Sequence, residues 1–232
     1  MTKKVKGVEA HGIGESLRGQ VPIYLGALRL ALLGAGSLVL ILSSVLFLRE
    51  RADLDRGTVE STGISGTGWV ACWLVALLLV VVYAGLLVLR KARSEGTTFP
   101  VAGFKKILST CGLPMVIGGI VGALLVIKVT PAIGAALWAA SFGLAVLAAR
   151  GQAPRSIVIL GWVMLSAGLT ALAYSWSDGA HPLPLFGVPE HLESPMLEAD
   201  LIMGACFGLI PILFGFFSMR AYVRPRRTEE TD

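Results

Sequence analysis

The side chains best able to do chemistry crowd into one stretch. Asp178, His181, Glu190, His191, Glu193, Glu198 and Asp200 supply oxygen and imidazole donors of the kind that hold metal ions. Their spacing matches no recognised metal site. Prolines at 182, 184, 189 and 195 describe an irregular cap, so a solvated acidic loop is the plainer reading and no metal ligand is assigned. Three cysteines, Cys72, Cys111 and Cys206, make no disulfide framework. A bridge between Cys72 and Cys206 is geometrically open if their helices are neighbours, but small residues at helix interfaces are the commoner role.

Two cations stand at the ends of apolar runs, Arg29 and Lys128. Each lies close enough to a run's end to snorkel its charge to lipid headgroups. The sharper alternative is that Arg29 faces inward and binds an anionic lipid or a substrate carboxylate. These two are the candidate ligand or lipid contacts.

Other chemistry is missing. No Asp, Glu or His falls within the core of an apolar run as read from the sequence, and such groups are what proton relays and haem ligation use. The three histidines, His11, His181 and His191, lie outside the runs. There is no GxxxxGK[ST] phosphate loop, no HExxH and no nucleophile elbow. The expectation is a non-enzymatic protein with no cofactor, no catalytic residue and no nucleic-acid partner.

The elements around these residues are set by composition. With 55% hydrophobic residues, 15% charged and a mean hydropathy of +0.76, 232 residues cannot form one water-exposed globule. The apolar residues come in blocks of about twenty, enough to cross roughly 30 Å of hydrocarbon. The blocks are 25–48, 69–89, 113–129, 132–149, 157–175 and 201–219. Backbone groups in lipid need internal partners, and these blocks do not alternate as barrel strands do, so the expected fold is all-α, a six-span helical bundle. A continuous helix from 113 to 149 would overrun a bilayer, which makes Pro131 the turn of a tight hairpin. The first block is too long for a cleaved signal and reads as an anchor. One membrane domain, 1–232, is expected.

Fifteen of the twenty lysines and arginines fall in the N-terminal arm, the second and fourth connections and the C-terminal tail. Only Arg49, Arg51, Arg56 and Lys128 fall on the other side, so the positive-inside bias predicts both termini in the cytoplasm of a cell whose plasma (inner) membrane holds the chain. The connection 176–200, with five carboxylates and no Lys or Arg, is then exported. Tyr24, Trp69, Trp176 and Tyr222 sit where interfacial aromatics are expected. The net charge of +5 reads as topology and attraction to anionic lipid on the cytoplasmic face.

Small residues four apart, Ala27 and Ala31, Gly118 and Gly122, Ala136 and Ala140, Gly204 and Gly208, have the spacing that lets membrane helices approach closely. Pro114 opens the third span, whereas Pro211 is mid-span and predicts a kink. Between spans two and three, Phe99, Val101, Phe104, Ile107 and Leu108 surround Lys105 and Lys106. That pattern predicts a short interfacial helix over 99–110, either a partner contact or an anchored connector.

The stretches LPMVIGGIVGALL, GAALWAASFGLAVLAAR, PRSIVILGWVMLSAGLTALA and MGACFGLIPILFGFF resemble a group of small bacterial six-span membrane proteins of uncharacterised function. The resemblance covers the C-terminal half and rests on a tryptophan and paired FG motifs. It implies a membrane bundle and carries over no functional residue. Three function classes follow. The first is an accessory subunit acting on a membrane partner or as a homo-oligomer. The second is a small-solute transport component, similar to the six-span substrate-binding subunits of energy-coupling transporters, whose first-span AxxxA is echoed by Ala27 and Ala31. The third is a lipid-acting enzyme, which would need a polar cluster inside the bundle.

Overall fold

The computed structural model describes residues 5–56, 65–94, 101–151, 153, 155–176 and 195–222, all of whose regular structure is helical. The helices are α1 (Val5–Asp55), α2 (Gly66–Ser94), α3 (Val101–Lys128), α4 (Pro131–Ala148), α5 (Arg155–Trp176) and α6 (Pro195–Met203). A π-helical segment, Gly204–Leu209, then joins α6 to α7 (Ile210–Tyr222). Six stretches are long and apolar enough to cross a bilayer: Arg29–Asp55, Gly66–Ser94, Ser109–Lys128, Pro131–Ala148, Arg155–Trp176 and Met196–Phe217.

Local chemistry places several helix ends. Thr130 caps α4, its extended backbone letting Oγ1 accept from the Ile133 N–H, while Pro131 takes the first helical position, where no N–H is needed. That cap makes the turn between α3 and α4 a two-residue hairpin. Ser65 caps α2 in the same manner, its Oγ accepting from the Gly68 N–H.

Packing has two hubs. α4 lies along α3 and α5 and against α6, while α1 packs on α2, α6, the π segment and α7. Close approach comes from glycine. A Cβ at Gly168 would overlap the Ala140 backbone, one at Gly143 would overlap Leu165, and one at Gly208 would lie 3.0–3.1 Å from Leu40. Ala135, Ala136 and Ala139 are wholly buried. Dispersion between backbones brought this near is what holds apolar helices together where the hydrophobic effect is absent.

Four sequence expectations are corrected. The helix expected over 99–110 is the first part of α3; its residues from Val101 run without a break into the third span, and Pro114 lies inside the helix instead of opening it. Interior proline costs one backbone bond but need not end a helix whose other bonds cannot be made elsewhere. The first helix is described from Val5, well before 25, although Gly7, Gly12, Gly14, Gly19 and Pro22 lie within it. The connection 176–200 is not loop throughout, since α6 starts at Pro195 and takes Glu198 and Asp200 into the last candidate span. Proline is well placed there, its fixed φ suiting a first helical turn. Trp69, expected at a membrane interface, is packed into the protein core at 1% exposure.

Candidate functional site

At the end of the bundle that carries the α3–α4 turn, three tryptophans surround one carboxylate. Trp69 and Trp73 stand a turn apart on α2, with ring centroids 5.7 Å apart and tilted by 57°. Trp138 of α4 stacks on Trp69 at 5.8 Å and 18°. Asp200 of α6 is 2% exposed, and its Oδ1 accepts from Trp69 Nε1 at 2.8 Å. Ser43 of α1 donates from Oγ to the Asp200 carbonyl, so backbone and side chain of one residue tie α6 to α1 and α2. Glycine at 204 permits this, since a Cβ there would lie 3.1 Å from Ser43 Cβ and closer still to Oγ than van der Waals contact allows.

More polar ties surround the pair. Ser175 Oγ donates to Glu198 Oε1 at 2.7 Å, joining α5 to α6, and Trp138 Nε1 donates to the Gly119 carbonyl at 3.1 Å, joining α4 to α3. On α1, Glu50 and Asp53 are each 9% exposed; Arg56 lies 3.6 Å from Asp53, and the charge of Glu50 acts on Asp200. Trp73 Nε1 is buried with no acceptor. A buried N–H without a partner is rare and costly, so this atom marks a place where packing is incomplete.

The last candidate span thus takes in two carboxylates near its start, Glu198 and Asp200, just outside the apolar run that begins at Leu201. Hydropathy placed the start of the last run at Leu201, one residue past Asp200, because the acidic and proline-rich residues upstream pulled the local average down. A helix obeys backbone hydrogen bonding, and its first turn reached back over them. The same extension produces the polar cluster inside the bundle that the sequence reading did not find.

The remaining sequence candidates are placed as follows. Arg29 is half-buried and engaged, with its carbonyl 3.6 Å from where a Cβ of Gly215 would stand. Lys128 is exposed at the last residue of α3. Gly118 packs on Ser141 and Gly122 on Trp138; Ala136 and Ala140 receive Gly168; Gly204 and Gly208 receive Ser43 and Leu40 of α1. Ala31 is buried, and the side chain of Ala27 lies outside the described residues. Pro211 is buried and follows the π segment, where the Ile210 N–H donates to the Ala205 carbonyl. Proline has no N–H for the carbonyl of Phe207, and a wider turn accommodates that missing bond. Two of the FG motifs meet, Phe142 and Phe207 packing edge to face at 5.5 Å.

Cys72, Cys111 and Cys206 are all free thiols, so the bridge left open between Cys72 and Cys206 is not made. His181, His191, Asp178, Glu190 and Glu193 lie outside the described residues, as do Tyr24 and Tyr222 as side chains. Trp176 is 71% exposed. Among the described residues, no three His, Cys, Asp or Glu side chains are grouped to hold a metal ion.

No family model, curated protein or solved structure is similar enough to count. The six-span resemblance drawn above rests on its quoted residues alone.

Proposed function

We propose that this chain is a non-enzymatic multi-pass subunit of the plasma (inner) membrane, with both termini cytoplasmic, that works by packing against a membrane partner. The observation that carries the reading is the unequal covering of its helices. Only 11% of the apolar window of α2 is buried, against 50% for α4 and 44% for the last span. On α2, Leu78 is 62% exposed, Val82 is 51% exposed and Gly85 has nothing within 4 Å of where its Cβ would be. The Trp69–Asp200, Ser43–Asp200, Ser175–Glu198 and Trp138–Gly119 hydrogen bonds, meanwhile, join helices, as in a scaffold.

Photo-crosslinking side chains at Leu78 and Val82 test this in native membranes, with Leu169 of α5 for comparison. The expected outcome is one defined polypeptide captured from the α2 positions, either a partner or a second copy. Capture of lipid alone from all three positions would refute it.

A second reading, a small-solute transport component, draws support from the enclosed Asp200 beside a π segment, a feature frequent at functional sites. Such a component must open a solvent path through the bundle. Cys206, buried at 4% exposure, reports on it. A Cys206 that a small maleimide never labels in a chain whose other two cysteines are replaced would end this reading.

A further inference from the structure

Asp200 is enclosed without a counter-ion. Its Oδ1 has the Trp69 indole as donor, and among the described residues no lysine, arginine or histidine forms an ion pair with it. A carboxylate taken out of water needs either a cation or several charge-assisted hydrogen bonds to offset the loss of hydration, and one indole N–H falls short of that. The surroundings make the deficit larger. Near Asp200 on α1 is the acidic Glu50, and Asp53 of the same helix is buried too; Arg49, Arg51 and Arg56 are exposed, and Arg56 pairs with Asp53. Glu198 on its own helix is engaged with Ser175. The first turns of α2 and the whole of α4 carry no acid or base other than Cys72, and the π segment carries only Cys206.

From this geometry we infer that Asp200 is a binding site for one small monovalent cation, a proton or a sodium ion, taken up at the end of the bundle that carries the α3–α4 turn. The site is built from Oδ2 of Asp200, with Trp69 holding Oδ1 in place and Ser43 holding its backbone. Trp73, one turn from Trp69 and packed on its ring, carries a buried N–H without an acceptor, which a water accompanying the ion would satisfy. Asp200 is five residues from the start of α6, about 7.5 Å along a helix. Binding neutralises the site, so the three-helix junction of α1, α2 and α6 is tightest when the cation is present and loosens when it leaves.

The three tryptophans report occupancy directly. The purified chain, held in nanodiscs of uncharged phosphatidylcholine, is titrated in two arms while tryptophan emission is read. In one, sodium replaces choline at constant ionic strength and constant pH. In the other, pH is lowered in choline alone. The expected result is a saturable one-site change in at least one arm, and the arm that responds names the cation. Asp200→Asn keeps an acceptor for Trp69 but removes the charge, and it should lose that response while Glu50→Gln and Glu198→Gln retain it. Where Asp200→Asn does not fold, infrared spectra of wild type with carbon-13 aspartate take its place. A slowly exchanging protonated carboxyl band supports the proton, and a carboxylate band displaced by sodium supports the ion. Flat titrations in both arms, or an Asp200→Asn chain that responds as wild type does, would overturn the inference, as would an infrared spectrum with neither band.

Discussion

Trp69 and Trp73 are one helical turn apart, both buried, and opposite in their hydrogen bonding. Trp69→Phe deletes the donor on which Asp200 Oδ1 depends and leaves a buried acceptor open, a loss of about 1–3 kcal/mol. Trp73→Phe deletes an N–H that has no acceptor, so part of its packing loss is recovered. Thermal unfolding in detergent should therefore rank Trp69→Phe well below Trp73→Phe; equal midpoints would mean that the Trp69–Asp200 bond does not contribute. The sequence could not reveal this pair. Trp69 follows Thr67 and Gly68 at the edge of an apolar run, where an indole ordinarily sits at the membrane surface, and Asp200 lies 131 positions away in a stretch dominated by proline and acid. Only the return of α6 onto α2 makes one the partner of the other. A local signal did exist. Pro195 followed by five residues of helix-compatible sequence is a first-turn proline, and placing the helix start there would have put Asp200 inside.

At the scale of the element, hairpins and glycine contacts were the legible part, and helix ends were not. The turn at Pro131 was readable because bilayer thickness forbids a longer helix, and its Thr130 cap adds the local reason. Thr130→Ala should cost about 1 kcal/mol by removing the acceptor of the Ile133 N–H, seen as a lower unfolding midpoint; Thr130→Ser should restore it. Glycines that look alike in sequence divide by what they touch. Gly168→Ala forces a methyl into the Ala140 backbone, and the α4–α5 contact should lose about 1–3 kcal/mol. Gly85→Ala and Gly112→Ala meet nothing and should gain about 0.5–1 kcal/mol from helix propensity. A destabilising Gly85→Ala in native membranes, but not in detergent, would place a partner against α2. Helix ends were missed for a single reason. Hydropathy marks where lipid-compatible side chains stop, whereas a helix stops where its backbone finds another partner or a forbidden dihedral. α1 and α3 therefore run past the apolar runs they contain.

Across the whole molecule, the charge pattern and the polar cluster make separate claims about the two ends of the bundle. In the proposed orientation, with the arm, the α2–α3 connection and the tail in the cytoplasm as the lysine and arginine count predicts, Asp200, Glu50 and Glu198 would lie at the exported end. Reporter fusions after Arg93 and after Pro184 measure that assignment. Opposite sides are expected, an alkaline phosphatase fusion being active only after Pro184 and a green fluorescent fusion only after Arg93. The same side for both would refute the six-span arrangement itself, and exchanged sides would refute only the orientation. The distinction matters for the cation site, because a bundle in the expected orientation offers Asp200 to the outer solution, where sodium and protons arrive without crossing the membrane. In sealed right-side-out vesicles the tryptophan response should then follow the outer cation alone. A response that follows the inner cation would invert the chain, leaving the Asp200 site intact and the positive-inside argument wrong.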